Sequence, residues 1–443
     1  MKQINRTKLS ISIIIVLTAV LWLGCGSQGP TIETGADGYG KATTANGITV
    51  LVNHDETTSL TAARILIGGG VLAETIDNNG VTNLMTKMLL KGSDVMSGAE
   101  ITEELDFLGA SVRADCYRDY SAISFVSLTD NFERVMEIVS HCLVSPTFPE
   151  EEFEKLKHET EGTIKAADDN QSAASSKLFW KTIYGDQGYG LPTLGTIESI
   201  EGITVADIKK QYQKLVGGNN IIFSVSTDLP PAKISGIIRT GLEGIKPEVT
   251  PIAAPSLALQ PEKDGFISYD RNQSFVYKGF AFNHLDSKEM TAVVLLNEIM
   301  GGNVGSRLWY LRQEEKLAYA IYTQYSADKY GAMFRAAIGT DTSKVKKALG
   351  SLDREWDRLV SDGITAEELD DARINMKNNL NFYIDRKSSR ANNMAVYEYA
   401  GYGYRAILNM IEMTEKITLD EINNFIKSKF VDDRKYLSIV GKK

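Results

Sequence analysis

The sequence predicts an α+β fold made of two homologous domains, each an antiparallel-rich sheet with helices packed against it. Two observations carry this prediction. Strands and hairpins alternate with helical segments in the same order in both halves, and two kinds of helix-start signal recur at a nearly constant offset. A chain of 443 residues has room for more than one domain of about 150 residues, and its 43% hydrophobic content is enough for large cores.

The repeated helix starts are threonines followed three positions later by an acidic residue, a pattern that caps a helix N-terminus. They are Thr147 with Glu150 and Thr365 with Glu368, and further along Thr204 with Asp207 and Thr418 with Glu421. A predicted hairpin precedes the first pair in each half, at residues 110–129 and 319–339. The match indicates two copies of one domain.

A proline-rich segment separates the two copies. Residues 246–263, KPEVTPIAAPSLALQPEK, contain four of the ten prolines and lack helical periodicity, so they are the predicted linker. The N-terminal domain then covers 46–245 and the C-terminal domain 264–443. We interpret residues 26–45 as a tether that leads into the first strand.

The first 25 residues are typical of a bacterial export signal. Positive charges precede an apolar run, 9–23, that is shorter than the ~20 residues of a membrane span. LWLGCGSQGP follows it and resembles a lipoprotein attachment site with Cys25 as the lipid acceptor, although Trp22 stands where leucine is usual. The sequence therefore predicts a cell-envelope protein, lipid-anchored to a membrane and facing the periplasm or the exterior. An ordinary cleaved signal with an incidental cysteine is the alternative.

Charge and cysteine content narrow the function classes. The net charge is −9 and no block of like charge stands out, so no nucleic-acid partner is expected. Cys116 and Cys142 would form a disulfide in an oxidising compartment if they approach each other. Two unpaired buried thiols are an equally good interpretation of the sequence.

Several segments resemble the insulinase (pitrilysin) family of metallopeptidases, in the branch whose subunits have two domains. They include GVTNLMTKMLLKGS at 80–93, LGASVRADCYRDYSAISFVSL at 108–128 and GGNVGSRLWYLRQEEKLAYAI at 301–321. The resemblance extends from about residue 46 to residue 443. It implies two homologous domains arranged as facing halves around a chamber.

The resemblance also implies that this chain lacks the family's zinc site. In active members the helix at 80–93 carries His-x-x-Glu-His, in which two histidines bind zinc and the glutamate is the general base. The corresponding residues here are Asn83, Thr86 and Lys87, an amide, a hydroxyl and an ammonium group. None of them replaces its counterpart chemically. The third ligand position falls near 162–164, which has no carboxylate. We therefore expect no cofactor in this chain, and zinc in a partner subunit.

A second motif of the family is retained. Arg312 and Tyr319 in LRQEEKLAY match a C-terminal-domain pair that holds the substrate backbone and stabilises the oxyanion at the zinc site of the other subunit. Arg307, upstream, is expected to support this segment. The resemblance implies the non-zinc-binding subunit of an exported heterodimeric metallopeptidase that binds an extended peptide as an added strand.

Two alternatives remain open at this stage. One is a catalytically inert peptide-binding or structural scaffold of the same fold. The other is an enzyme with a different site, but the sequence has no Gly-x-Ser-x-Gly elbow, no Cys–His grouping and no second metal cluster.

Overall fold

The computed structural model describes residues 29–254, 258–301 and 304–442, and its strands form two sheets. The strands of the first half are β1 Tyr39–Thr43, β2 Thr49–His54, β3 Leu60–Gly68, β4 Ser111–Cys116, β5 Tyr120–Leu128 and β6 Ile221–Thr227. Those of the second half are β7 Asp264–Ser268, β8 Gln273–Asn283, β9 Ala320–Ala327, β10 Gly331–Asp341 and β11 Lys435–Gly441.

The α-helices surround these sheets. In the first half they are α1 Val81–Met88, α2 Gly98–Phe107, α3 Phe132–Val144, α4 Glu150–Asp169, α5 Gln171–Tyr184, α6 Ile197–Gly202, α7 Val205–Leu215 and α8 Pro231–Leu242. In the second half they are α9 Ser287–Met300, α10 Trp309–Gln313, α11 Val345–Asp362, α12 Ala366–Asp385, α13 Lys387–Ala400, α14 Ala406–Lys416 and α15 Leu419–Lys429.

The two sheets share one topology. The first has the order β1-β2-β6-β3-β5-β4 and the second β7-β11-β8-β10-β9, so β2 to β6 correspond in chain order to β7 to β11. Each sheet contains one parallel pair, β2 with β6 and β7 with β11, and its other pairs are antiparallel. The corresponding helices α4 and α12 have 20 residues each, and α5 and α13 have 14 each. The predicted α+β fold with two homologous halves is confirmed.

Each sheet is covered on both faces, and one of the covering helices comes from the other half. Alternate residues of a strand point to opposite faces. In the first sheet Val50 and Ile65 point into a core shared with the helices of the first half. Leu51 and Leu66 point to the opposite face, where Met394 of α13 packs. The amphipathic pattern of α13 does not indicate this position, because such a pattern does not say which sheet a helix covers.

The second sheet is covered in the reciprocal way by α5. Phe179 and Ile183 of α5 pack on Tyr277 of β8 and Met333 of β10. A buried hydrogen bond accompanies these apolar contacts: Ser438 Oγ of β11 donates to the Ser175 carbonyl of α5 at 2.9 Å. The exchange of α5 and α13 joins the two halves through apolar cores.

Two local predictions are wrong. The tether at 26–45 contains β1, which pairs antiparallel with β2 from Tyr39 opposite Asn53 to Thr43 opposite Thr49. β1 is an edge strand with exposed positions, so it lacks the apolar pattern by which a strand is recognised.

The predicted cap at Thr147 is the second error. α4 begins after Pro149 and no side chain caps it, because Phe148 adopts φ 50° and the Thr147 amide is used by the Gly92 carbonyl. The other three threonine caps are confirmed, at Thr204, Thr365 and Thr418.

The turns of the two central hairpins meet where the halves join. Asp119, before β5, accepts a hydrogen bond at Oδ2 from the backbone amide of Lys329, which lies between β9 and β10, at 2.6 Å. The neighbouring Asp328 is enclosed, and burial together with Asp119 raises its pKa to about 7, against the opposing effect of Arg118. Burial raises the pKa of Asp119 as well.

The raised pKa of Asp328 makes the stability of the fold depend on pH. An aspartate of the unfolded chain titrates near 3.8. The contribution of Asp328 is therefore complete below that pH and is lost as the pH rises through about 7. When the pH is raised from about 5 to about 8, we expect the Tm of Asp328→Asn to fall less than the Tm of the parent chain. Asp186→Asn, an exposed carboxylate paired with Lys181, is the control. Equal losses in all three proteins would contradict the assignment.

Candidate functional site

The zinc-motif positions lie on α1, and two of the three are enclosed. Thr86 is fully buried, and its hydroxyl donates to the Thr82 carbonyl at 2.7 Å. Asn83 is 2% exposed, and its Nδ2 has no hydrogen-bond partner among the described residues. Lys87 is half-buried. The helix face therefore offers an amide, an occupied hydroxyl and an ammonium group.

A carboxylate that the sequence analysis did not single out holds the start of α1. Glu74 accepts hydrogen bonds from the backbone amides of Gly80 at 2.9 Å and Thr82 at 2.7 Å, and from Asn79 Nδ2 at 2.8 Å. Burial raises the pKa of Glu74, although these hydrogen bonds favour its charged form. A carboxylate at a helix N-terminus is stabilising, so Glu74 positions the helix. The sequence does not reveal this cap, because Glu74 lies several residues before the helix and reaches its first amides across a loop.

The third ligand position lies on α4, which packs against α1. Thr163 is exposed and its hydroxyl donates to the Glu159 carbonyl at 2.9 Å, whereas Ile164 is buried. The nearby His158 is an exposed side chain 3.9 Å from Glu161. Within residues 29–254, 258–301 and 304–442 there is no group of three or more side chains that could hold a metal ion.

Both cysteines of the described region are free thiols. Burial raises the pKa of the Cys142 thiol to about 12 and raises that of Cys116, at the end of β4, well above its ordinary value. The structure therefore agrees with the interpretation of two unpaired thiols.

Arg312 and Tyr319 line one cavity of about 530 Å³ in the second half. Arg312 is exposed on α10, with its Cζ 5.3 Å from the centre of the Trp309 ring. Tyr319 is 51% exposed, and its backbone amide donates to the Gly339 carbonyl at 3.0 Å. Its ring lies over Gly339 so closely that a Cβ there would be 2.6 Å away. The zinc-motif positions of α1 do not line this cavity.

The cavity is more positive than negative. Lys316 and Lys344 also line it, and Asp341 is its one carboxylate among the described residues. Asp341 is occupied by Ser343, whose backbone amide donates to it at 2.8 Å and whose hydrogen bonds lower its pKa. A surface of this kind suits carbonyl oxygens and developing negative charge.

Arg307 supports this segment, as predicted. It is buried, and its guanidinium binds Glu368 through two hydrogen bonds of 2.6 and 2.7 Å. Glu368 also caps α12, so the pair joins the loop before α10 to the start of that helix.

The anchor prediction concerns residues outside the described ones. Cys25 and the apolar run 9–23 both precede residue 29, where the description begins. Of the helices that the structure describes, none is both long and apolar enough to cross a membrane.

The duplicated topology and the placement of α1 against the first sheet define a two-domain, peptidase-like protein. The profile described as "Insulinase (Peptidase family M16)" matches residues 49–197, and "Peptidase M16 inactive domain" matches residues 202–376. The chain belongs to the insulinase family, peptidase family M16.

Two related proteins match the sequence of this chain over most of their length. A protein of Bacillus subtilis named "Uncharacterized zinc protease YmxG" is 22% identical over 393 residues, 88% of this chain and 95% of the relative. The "Non-peptidase homolog YmxG" of Helicobacter pylori is 24% identical over 364 residues, 82% of this chain and 84% of the relative.

Solved structures share the fold. A peptidase M16 inactive domain from Pseudomonas fluorescens has a TM-score of 0.84 at 19% identity, over 91% of this chain and 98% of that one. The periplasmic protease PqqL of Escherichia coli has a TM-score of 0.78 at 15% identity, and the match covers 94% of this chain but 47% of PqqL.

Proposed function

We propose that this chain is the non-zinc-binding subunit of an exported heterodimeric insulinase-family metallopeptidase. In this proposal Arg312 and Tyr319 act on a peptide bound at the zinc site of a His-x-x-Glu-His partner subunit. The observation that carries the proposal is that the two side chains are exposed and line the same cavity.

Comparison with two other arginines of the same half supports a role for Arg312 in binding another molecule rather than in stabilising the fold. Arg307 and Arg335 are buried and donate hydrogen bonds to side chains of the chain. Arg312 is exposed, with its Cζ 5.3 Å from the centre of the Trp309 ring, so its guanidinium is accessible to acceptors from outside the chain. The position of Tyr319 over Gly339 fixes its ring without burying it.

The chemistry follows from the two groups. A tyrosine hydroxyl can donate a hydrogen bond to the oxyanion that forms when the zinc-bound water attacks an amide. A guanidinium can hold the carbonyl oxygens of the substrate backbone. The described sheets end in β4 and β9, whose outer backbone groups are unpaired within the sheet, so an extended peptide can add to such an edge.

The need for a second unit agrees with the PqqL comparison, since the match spans about half of that chain. In this chain the two halves are in direct contact through α5 and α13. The family resemblance implies a chamber between the two halves of this chain. In this proposal the partner subunit closes that chamber and binds the zinc.

Activity of the mixed subunits tests the proposal. The partner to try is a chain of similar length with His-x-x-Glu-His, sought first in the neighbouring reading frame. We expect neither chain to cleave peptide alone and the mixture to be active. Tyr319→Phe should lower kcat of the mixture by ~10²–10³-fold while the complex still forms, because it removes one oxyanion donor. Arg312→Gln should in addition raise KM.

Tyr310→Phe is the matched control, because the Tyr310 hydroxyl already donates to Glu355 within the chain at 3.2 Å. It should leave kcat near that of the parent. If Tyr319→Phe and Arg312→Gln assemble and cleave like the parent mixture, the two residues have no catalytic role.

A second candidate function is a catalytically inert peptide-binding or structural scaffold. It is favoured by the name of the non-peptidase relative and by the inactive-domain profile over the second half. The same mixing experiment separates the two candidates, because a scaffold would bind peptide or partner without any dependence of turnover on Tyr319.

We also propose that Cys25 anchors the protein to a membrane of the cell envelope. Acyl chains on this cysteine would hold the protein more firmly than the short apolar run before it. We expect Cys25→Ser to move the protein from the membrane fraction to the soluble exported fraction, as measured by fractionation and immunoblotting. Unchanged membrane association of the variant would refute lipidation as the anchor.

A further inference from the structure

A row of polar residues crosses the first sheet on the face that α13 covers. Arg64 on β3 is paired with Ser124 on β5, and Ser124 is paired with Arg113 on β4. Directly paired residues point to the same face, and neighbouring strands lie about 4.8 Å apart. The two arginines therefore flank the Ser124 hydroxyl with their Cα atoms roughly 10 Å apart.

This row borders a cavity of about 390 Å³ in which none of the described lining residues is acidic. The cavity also receives Ser388 and Ser389 from the first turn of α13, and Asn392 and Asn393 from the next. No side chain caps the N-terminus of this helix, where the positive end of the helix dipole lies. Hydrogen-bond donors and positive charge thus meet in one place.

Arg64 is the side chain that indicates a ligand. It is 6% exposed, and Nη1 donates to Ser124 Oγ at 3.0 Å, which turns the guanidinium towards the strand that separates it from Arg113. Its Nε and Nη2 have no hydrogen-bond acceptor among the described residues. The Tyr117 and Tyr120 rings lie 5.3 and 5.5 Å from its Cζ and offer a cation–π contact, which is weaker than a charged hydrogen bond. A buried charge without such partners is strongly unfavourable.

The second sheet contains a buried arginine that has more hydrogen-bond partners within the fold, although its Nη1 also has none among the described residues. Arg335 lies on β10, between Gly279 of β8 and Gln324 of β9, in the row that corresponds to Arg64, Ser124 and Arg113. It is 5% exposed and donates to Gln324 Oε1 at 3.0 Å and to Ser176 Oγ at 2.9 Å. Among the described residues Arg64 has only the Ser124 hydroxyl as a side-chain acceptor, so two of its guanidinium nitrogens lack a partner where Arg335 has one such nitrogen.

We propose that Arg64, Arg113 and Ser124, with the N-terminal turn of α13, bind a small oxyanion group, either a phosphate or a carboxylate. Arg64 and Arg113 line the cavity, and the planar guanidinium group suits the oxygens of such an anion. Arg113 reaches it from the exposed edge of the sheet, and the hydroxyls of Ser388 and Ser389 complete the shell. The site joins a strand of the first half to a helix of the second, on the face of the sheet opposite α1. It does not depend on the proposed peptidase role.

Calorimetric titration of the whole chain in a buffer free of oxyanions tests this site. The probes are inorganic phosphate and succinate, each titrated separately. We expect one site per chain for at least one probe, and a dissociation constant raised by about 10-fold or more in Arg113→Gln. This variant should fold normally because Arg113 is exposed on an edge strand. Binding of phosphate alone or of succinate alone identifies which oxyanion the site takes.

Arg134→Gln is the matched control, since it removes the same charge from an exposed position on α3 in the same half. It should leave the dissociation constant unchanged. Arg64→Met should abolish the rise in Tm that the bound probe causes, without lowering Tm in the absence of probe, because it removes an unsatisfied buried charge. The proposal is overturned if neither probe binds at millimolar concentration, or if Arg113→Gln and Arg134→Gln bind alike.

Discussion

The exchange of α5 and α13 between the halves is the contact on which the rest of the structure depends. Each helix covers the sheet face that the helices of the other half leave open, through residues such as Phe179 on one side and Met394 on the other. Fully burying an apolar side chain contributes about 1.5–3 kcal/mol. Loss of either helix would expose a whole sheet face. The halves therefore form one stable unit, and neither is expected to fold alone.

The exchange of α5 and α13 also brings polar groups together where the two halves meet. The hairpin turns that carry Asp119 and Asp328 are pressed together without enough partners for both carboxylates. On the face of the first sheet that α13 covers, this helix begins near Arg64 and leaves a cavity lined by two arginines. Arg312 on α10 and Tyr319 directly before the edge strand β9 lie elsewhere, and both side chains are exposed.

Local chemistry explains what the sequence could predict. The hairpins and three of the four threonine caps depend on nearby residues and short-range rules. The ion pair of Arg307 with Glu368 joins residues 61 positions apart, and the sequence predicted only that Arg307 supports its segment. Arg312 and Tyr319 are only seven positions apart in one motif, so their proximity also follows from a local segment. The exchanged helices, the cap that Glu74 provides and the site around Arg64 depend on contacts between distant segments. A single sequence has no periodicity or spacing that reports such contacts.

The most direct measurement of the central claim is the proximity of Tyr319 to the partner's metal. The chain would be labelled with 3-fluorotyrosine, mixed with a partner whose zinc is replaced by Co²⁺, and studied by ¹⁹F NMR. The Tyr319 resonance is identified by its absence in Tyr319→Phe. The account predicts that this resonance is strongly shifted or broadened by Co²⁺ but not by Zn²⁺, while that of Tyr310 is affected much less. A Tyr319 resonance that is identical with both metals in the assembled complex would contradict it.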